Sequence, residues 1–278
     1  MERLPLDDLP KHAEWAAYLL DPGRNPPGEL DAYTGTDTYE EIHSNLLSGY
    51  RKHPVPKEEV PRRIRWGGRS GPGVLSIDET LYLAEGTELV DHEYRVVQEA
   101  LEPALSGNET VFDLGCGWGW TLDAIATAFP DARVVGGEYT PSGVEFSRDV
   151  FGDGDRVTVK EFDFYGDWDL LDEVDGERVV FTKGALVTLT DASQIVDRLD
   201  ALAAEGTLSS GVHLEQVGPH PETTLGHLRR RYTEERGYNS DALEQMRSAE
   251  SLAVTDVTYD VLGANPLHPL TRIRWRAE

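Results

Sequence analysis

Val111-Phe112-Asp113-Leu114-Gly115-Cys116-Gly117-Trp118-Gly119 is the stretch whose reading decides the fold. An apolar run delivers an acidic residue, and a Gly-x-Gly-x-Gly turn then leads into a helical pattern. Glycines at a strand-to-helix turn let the backbone approach a ligand closely, and the helix N-terminus favours the ligand's negatively charged part. NAD-binding folds use a related turn, so the glycines alone do not name a ligand. Outward from this turn the pattern is regular. A helix over about 88–105 precedes a strand at 109–114. Strand-like runs follow at Arg133–Gly137, Arg156–Glu161, Arg178–Thr182 and Thr207–Val217, with helical runs between them at about 118–129, 141–150 and 191–204. Alternating β and α elements of these lengths predict a doubly wound, mostly parallel sheet covered on both faces. Helical patterns at Glu222–Arg236 and Ser240–Ala249 come next. Two last runs, Ala253–Leu262 and Leu270–Arg276, predict a C-terminal antiparallel hairpin at one side of a seven-stranded sheet.

Residues 1–86 have a different texture and read as a small, mainly helical N-terminal cap on a catalytic domain spanning 87–278. One helical pattern is Lys11–Leu20, with Trp15, Tyr18 and Leu19 on one face. A second is Asp37–Ser48, where Asp37-x-x-Glu40 has the spacing of a capping box and Gly49 closes the run. Breakers at Pro22-Gly23, Pro26-Pro27-Gly28, Gly67-Gly68 and Gly71-Pro72-Gly73 separate them.

Three features refine the glycine turn. Asp113 stands two residues before the first glycine. Glu138 ends the second strand, where a carboxylate can accept both hydroxyls of a ribose. Asp163 closes the third, in Val159-Lys160-Glu161-Phe162-Asp163-Phe164. The spacing Asp-x-Gly-x-Gly-x-Gly resembles motif I of class I, Rossmann-like S-adenosylmethionine (SAM)-dependent methyltransferases, and the resemblance covers about residues 88–278. It implies that Gly115 and Gly117 frame the methionine portion of SAM, that Trp118 also belongs to the cofactor site, and that Asp113 lies under the amino-acid end. It further implies Glu138 at the ribose, and Asp163 with Phe164 at the adenine. The dinucleotide alternative is weaker, because its usual third glycine falls where this chain has Trp120.

Methyl transfer is an in-line displacement that needs alignment of the two reactants and, for a hydroxyl acceptor, a base. A carboxylate acceptor needs no base. In open α/β sheets ligands bind beyond the carboxyl ends of the strands, which directs attention to Thr182-Lys183-Gly184 and His213-Leu214-Glu215-Gln216. His213 and Glu215 project from the same face of one strand. His213 is the candidate general base, with Glu215 orienting it or binding the acceptor. The alternative is a hydrogen-bonded strand histidine without chemical role. Lys183 either steers an anionic acceptor or covers the cofactor pocket as a structural cation. Within Arg51–Arg69, Arg51, Lys52, Lys57, Arg62, Arg63, Arg65 and Arg69 stand against Glu58 and Glu59. Arginine forks suit carboxylate and phosphate oxygens, and Trp66 with its neighbouring glycines suits a lid over a sugar ring. These cations serve equally well to pin the cap to an acidic domain. A second basic cluster is Arg229-Arg230-Arg231-Tyr232. The run Asn265-Pro266-Leu267-His268-Pro269, followed by Ile273-Arg274-Trp275, resembles the tails of bacterial and archaeal sugar O-methyltransferases.

Other methyltransferase chemistries are disfavoured. Adenine-N6 enzymes carry Asn-Pro-Pro-aromatic after the fourth strand, where this chain has Thr182-Lys183-Gly184. Cytosine-C5 enzymes need a cysteine nucleophile outside the glycine loop, and Cys116 is within it. Catechol-type enzymes need acidic metal ligands near the fourth strand, where Lys183 stands. With that single cysteine no zinc cluster forms, and no metal is expected.

Composition sets the surroundings. The 278 residues carry 51 Asp plus Glu against 26 Lys plus Arg, a formal charge of −25, and only five of the cations are lysine. An acidic, lysine-poor surface keeps a protein solvated in molar salt, where the Debye length is about 3 Å, and is read as the signature of a halophile's cytoplasm. The same charge disfavours a nucleic-acid substrate. MERLPLDDLP has no apolar core of a signal peptide, and no run approaches the length of a membrane span. The expectation is therefore a cytoplasmic SAM-dependent O-methyltransferase for a small, anionic or sugar-containing acceptor such as a uronic acid of surface glycan assembly. A lipid, quinone or other small metabolite is an alternative acceptor, and a non-catalytic SAM- or nucleoside-binding module is the competing class.

Overall fold

The computed structural model describes residues 1–21, 23–28, 36–66, 71–152, 154–172, 174 and 176–278. The breaker Pro22, the expected lid of the Trp66 side chain with Gly67 and Gly68, and Arg69 of the basic tract lie outside the described residues. The N-terminal part runs β1 (Glu2–Arg3), α1 (Leu9–His12), α2 (Glu14–Leu20), α3 (Thr36–Lys52), α4 (Val60–Trp66), β2 (Gly73–Ile77) and β3 (Thr80–Ala84). Then come α5 (Gly86–Leu101), β4 (Thr110–Leu114), α6 (Trp120–Ala128), β5 (Arg133–Glu138), α7 (Pro141–Phe151), β6 (Val157–Glu161) and β7 (Arg178–Lys183). The chain ends with α8 (Ser193–Ala204), β8 (Ser210–Glu215), α9 (Thr224–Glu235), α10 (Ala242–Ser248), β9 (Leu252–Leu262) and β10 (Leu270–Ala277).

The main sheet has seven strands in the order β6-β5-β4-β7-β8-β10-β9. The first five are parallel, and β10 pairs antiparallel with both β8 and β9. Parallel strands are covered on both faces and so read as continuous apolar runs, and in β4 every residue is buried. Successive side chains there serve opposite layers. Val111 joins Val134, Val179, Ile125 and Phe146 on one face, and Phe112 joins Val135, Val180, Leu199 and Met246 on the other. The chain leaves β4 toward β5 and β6, then crosses back to β7 on the other side of β4. This reversal opens a crevice at the carboxyl ends of β4 and β7, the usual ligand position in such sheets.

The N-terminal segment departs from the mainly helical expectation. Beside its helices it holds a three-stranded antiparallel sheet, β1-β3-β2, whose tight turn uses Asp78 and Glu79, both at positive φ (47° and 58°). Ser76 of β2 exchanges two backbone hydrogen bonds with Gly263 (2.9 and 2.8 Å), linking this small sheet to the end of β9. A buried ion pair lies at the same junction. The Arg229 guanidinium donates to Asp260 Oδ2 (2.7 Å), Ser76 Oγ (2.9 Å) and the Pro266 carbonyl (2.9 Å). The expected helix over Lys11–Leu20 is broken at Ala13, which takes an extended conformation. The expected capping box at Asp37 is also absent. The helix begins at Thr36, and Glu40 instead accepts from the backbone N–H (3.1 Å) and hydroxyl (2.5 Å) of Ser142, in the first turn of α7.

Candidate functional site

The glycine turn follows β4 at the sheet's reversal. Gly115, Gly117 and Gly119 all have positive φ (75°, 57° and 89°). At Gly115 the need for glycine is twofold. An L side chain there is conformationally strained, and a Cβ would stand 2.7 Å from Cβ of Ala185 and 3.2 Å from the Phe164 ring. The N–H groups of Gly115 and Cys116 both donate to the Gly137 carbonyl (2.8 and 3.0 Å), stitching the turn to β5. Beneath it Asp113 accepts from the Thr121 hydroxyl of α6. Burial raises the Asp113 carboxyl to about 7, with the Thr121 hydrogen bond and the Lys183 charge pulling the other way.

Glu138, at the end of β5, is buried beside the turn. Oε1 accepts from the backbone N–H (2.9 Å) and hydroxyl (2.6 Å) of Thr140, and Oε2 accepts from the Gly117 N–H (2.9 Å). A carboxylate offers about four lone-pair sites, so three bonds leave Oε2 with capacity for one more donor. Over this group lies His43 of α3, an element from the N-terminal segment. Its Nδ1 is 2.6 Å from Thr140 Oγ1 and 3.7 Å from Glu138 Oε1. Burial lowers the His43 pKa, and the nearby Glu138 and Glu40 carboxylates oppose it. Glu40, His43 and Leu47 are spaced i, i+3, i+7 on α3. Two polar groups on an otherwise inward-facing stripe were the signal by which sequence could have found them.

On the other side of the turn, Phe164 packs edge-on against Phe162 (5.0 Å between centroids) and presents its ring to Gly115. Asp163 is exposed, and its Oδ1 accepts from the Tyr165 N–H (2.9 Å). The crevice thus brings Asp113, Gly115, Gly117, Glu138 and Phe164 together, with Asp163 at its outer edge. Trp118 packs instead among Trp120, Phe146 and Phe151 (6.1–6.4 Å).

The residues expected to act on the acceptor are arranged otherwise. His213 is fully buried with both ring nitrogens engaged, Nδ1 with the Thr182 hydroxyl (2.9 Å) and Nε2 accepting from the Trp275 indole (2.8 Å). Burial alone pushes its pKa down to about 3. It therefore has no free lone pair for a substrate proton, and the expectation of a general base there gives way to that of a hydrogen-bonded strand histidine. Glu215 reaches it only through Thr182, whose hydroxyl bonds both side chains. Its oxygens accept from the N–H groups of Ala185 (3.0 Å) and Val187 (3.4 Å), holding the turn that carries Ala185 against Gly115. Burial raises the Glu215 pKa against those bonds. Lys183, at the end of β7, is half-buried with its ammonium 3.9 Å from Glu93 Oε1 and 4.8 Å from the centroid of the Trp120 ring, and burial lowers its pKa against the Glu93, Glu215 and Asp113 carboxylates.

The basic tract pairs with the domain it covers. Arg51 bridges Glu145 (2.6 Å) and Asp149 (2.7 Å) of α7, Lys57 meets Asp123 (2.9 Å), Arg62 meets Asp91 (3.4 Å), and Arg63 donates to the His53 carbonyl (3.1 Å). Arg65 grips Glu93 with two hydrogen bonds, one of 3.0 Å from Nε. The second basic cluster is tied down too, Arg230 to Glu222 (2.7 Å) and Arg231 to the Leu19 carbonyl (2.6 Å).

No family model and no curated protein matches this sequence. Solved structures do resemble the fold. The [4+2]-cyclase SpnF is similar over 91% of this chain and 98% of its own, with TM-score 0.55 and 12% identity. The mitomycin 7-O-methyltransferase MmcR is similar over 95% of this chain and 75% of its own, with TM-score 0.50 and 16% identity. Magnesium protoporphyrin IX methyltransferase (ChlM) from Synechocystis PCC 6803 with bound SAH aligns with 84% of this chain and 100% of its own, at TM-score 0.49 and 14% identity. A cyclase and a methyltransferase on one architecture leave the reaction to be argued from the site.

Proposed function

We propose that this chain is a SAM-dependent methyltransferase that acts on an oxygen of a small anionic acceptor, with a uronic acid or another sugar of glycan assembly as the fitting class. The observation that carries the reading is the positive-φ glycine turn at the sheet's reversal, flanked by Glu138 on one side and Phe164 on the other. The residues present fit the cofactor. Gly115 lets the turn pack directly against Ala185 and Phe164 where a Cβ would clash, Glu138 Oε2 keeps a lone pair for a ribose hydroxyl, and Phe164 offers a ring to the adenine. Gly115 and Gly117 would hold the methionine portion, with Asp113 beneath it, and Asp163 would receive the adenine amino group. When bound, SAM supplies an electrophilic methyl group on a positively charged sulfur.

The chain's own part is alignment, charge and exclusion of water. Lys183 is the cation that faces an acceptor at the end of β7. Glu215 is a positioning residue, since it fixes the turn against which Gly115 packs. His43 and α3 cover the Glu138 side and keep water from it. Among the described residues no helix is long and apolar enough to cross a membrane, and the acidic composition suits the cytoplasm of a halophile.

The test is calorimetric titration with SAM in molar KCl, beside a Glu138→Ala variant and NAD as control, each sample checked for fold by circular dichroism. Low-micromolar binding that is lost in the folded variant, with no heat from NAD, is the expected result. A folded wild-type protein that gives no heat with SAM overturns the reading. SAM binding without methylation of any acceptor would favour a non-catalytic binding module.

A further inference from the structure

The Glu138 carboxylate and the His43 imidazole lie side by side, each with one end at Thr140 and the other at Gly117. Glu138 Oε1 meets the Thr140 N–H and hydroxyl, and Oε2 meets the Gly117 N–H (2.9 Å). His43 Nδ1 is 2.6 Å from Thr140 Oγ1, while Nε2 lies 3.6 Å from the point where a Cβ of Gly117 would stand. His43 is 4% exposed, and among the described residues Nε2 makes no hydrogen bond. Two features hold the ring in place. Along α3, Glu40 accepts from Ser142 and Arg51 reaches Glu145 and Asp149, so the helix is docked on α7 on both sides of His43. Within α7, position 143 is glycine, and a Cβ there would stand 2.7 Å from His43 Nδ1, 2.6 Å from Thr140 Oγ1 and 2.9 Å from Glu138 Cγ. Glycine is disfavoured in a helix against alanine, and here the missing side chain is the space the imidazole occupies.

The proton positions follow from the partners. A carboxylate only accepts, so the single hydroxyl proton of Thr140 goes to Glu138 Oε1 (2.6 Å). Thr140 Oγ1 can then only accept from His43 Nδ1. Burial lowers the His43 pKa against the Glu138 and Glu40 carboxylates, so at neutral pH the ring is uncharged and Nε2 carries a lone pair. The Gly117 end of the site therefore offers two acceptors, the remaining lone pair of Glu138 Oε2 and that of His43 Nε2. We propose that these two atoms divide the ribose diol of SAM between them, Glu138 taking one hydroxyl and His43 the other, so that the N-terminal segment supplies part of the cofactor site. This rests on the cofactor reading above. A 2′,3′-diol presents two donors, and Glu138, with three hydrogen bonds already made, has room for one. The arrangement selects a ligand with both ribose hydroxyls free, and it ties occupation of the site to the docking of α3 on α7.

S-adenosylhomocysteine, which keeps the ribose and lacks the reactive methyl group, is titrated by calorimetry in molar KCl into the wild-type protein and His43→Asn, beside its 2′-deoxy and 3′-deoxy forms. Asparagine keeps an N–H at the position of Nδ1 for Thr140 and has no atom at that of Nε2. In the wild type each deoxy form should bind about tenfold more weakly than the parent. In His43→Asn the parent should itself lose about tenfold, one deoxy form should lose nothing further, and the other should keep its deficit. Equal deficits for both deoxy forms in the two proteins overturn the division of the diol. Failure of the parent to bind the folded wild type overturns the cofactor reading and this inference with it. A second measurement needs no variant. In wild-type protein labelled with 13C and 15N, the His43 Nε2 resonance is assigned through bonds from its backbone amide. It should move upfield, as a bare ring nitrogen does on accepting a hydrogen bond, with the parent and with one deoxy form only. A signal that stays fixed with all three ligands, or moves alike with all three, overturns the assignment of His43 to the ribose.

Discussion

Replacing Asp260 by Asn tests whether the N-terminal segment and the sheet fold as one unit. The substitution isolates the charge. Asn is close to isosteric, and it tolerates the positive φ of 49° found at this position. Arg229 and Asp260 are each 1% exposed, and Asp260 also receives Ser76 Oγ (2.7 Å) and the Glu79 N–H (2.8 Å). Neutralising the carboxylate leaves a buried guanidinium without a counter-charge and turns an amide group toward existing donors. Breaking a buried pair in this way costs about 3–5 kcal/mol, a large share of the roughly 5–15 kcal/mol that holds a domain together. At urea slopes near 3 kcal/mol/M this is a fall of about 1–2 M in the midpoint. Because the pair is shielded from solvent, the fall should be equal in 1 and 3 M KCl. Arg51→Ala, which removes an exposed pairing, should leave the midpoint in molar salt unmoved. Tryptophan fluorescence, with Trp15 near the N-terminus and Trp275 in the sheet, and far-ultraviolet dichroism should report one coincident transition. A shift below about 0.3 M, a shift that shrinks with KCl, or an early separate loss of the N-terminal signal would refute the reasoning.

Further predictions concern the crevice. Gly115→Ala should destabilise by about 1–3 kcal/mol and abolish SAM heat, because its Cβ would meet Ala185 at 2.7 Å; a variant that binds SAM normally would show that the turn does not cradle it. Asp113 is raised from 3.8 to about 7, so between those values the folded state holds the extra proton and stability must fall as pH rises. Urea midpoints measured from pH 4 to 8 should show that decline, and Asp113→Asn should flatten this part of it. His213→Phe strands the Trp275 indole N–H, while the Thr182 hydroxyl keeps Glu215, and should cost about 1–3 kcal/mol while leaving SAM affinity unchanged. Unaltered stability with lost turnover would restore His213 as a catalytic base.

The parallel sheet was legible because buried parallel strands are written as apolar runs, and the glycine turn because three positive-φ positions in five residues require a residue type that sequence displays directly. The β2–β3 hairpin was not. Tight hairpins usually announce themselves with Asn-Gly or Asp-Gly, whereas this one places Asp78 and Glu79 at positive φ. Its support is remote in sequence, since both their N–H groups donate to Asp260, one to the carbonyl and one to the side chain (each 2.8 Å). Which of the two readings of His213 applies was not legible for a similar reason. Alternation along β8 says which face a side chain takes, but its partners come from β7 and β10. The absence of a side chain at Gly211 also matters, because a Cβ there would overlap the Trp275 ring that donates to His213.

The basic tract shows how clustering in sequence misleads about a site. Seven cations between Arg51 and Arg69 look like an anion-binding surface in a chain of charge −25. Yet Arg51 lies on α7 carboxylates, and Lys57 and Arg62 meet single acids on α6 and α5. In an acidic protein a cation on a segment laid over the sheet domain finds a carboxylate beneath it, so local enrichment in arginine measures attachment. Arg65 differs because its partner, Glu93, is also shared with Lys183. Lys183 faces two further carboxylates, Glu215 and Asp113, so the cations at the end of β7 are balanced from within the chain. Charge density along the sequence therefore reports how a segment is attached, and only the partners found in the fold say whether a cation is left for a ligand.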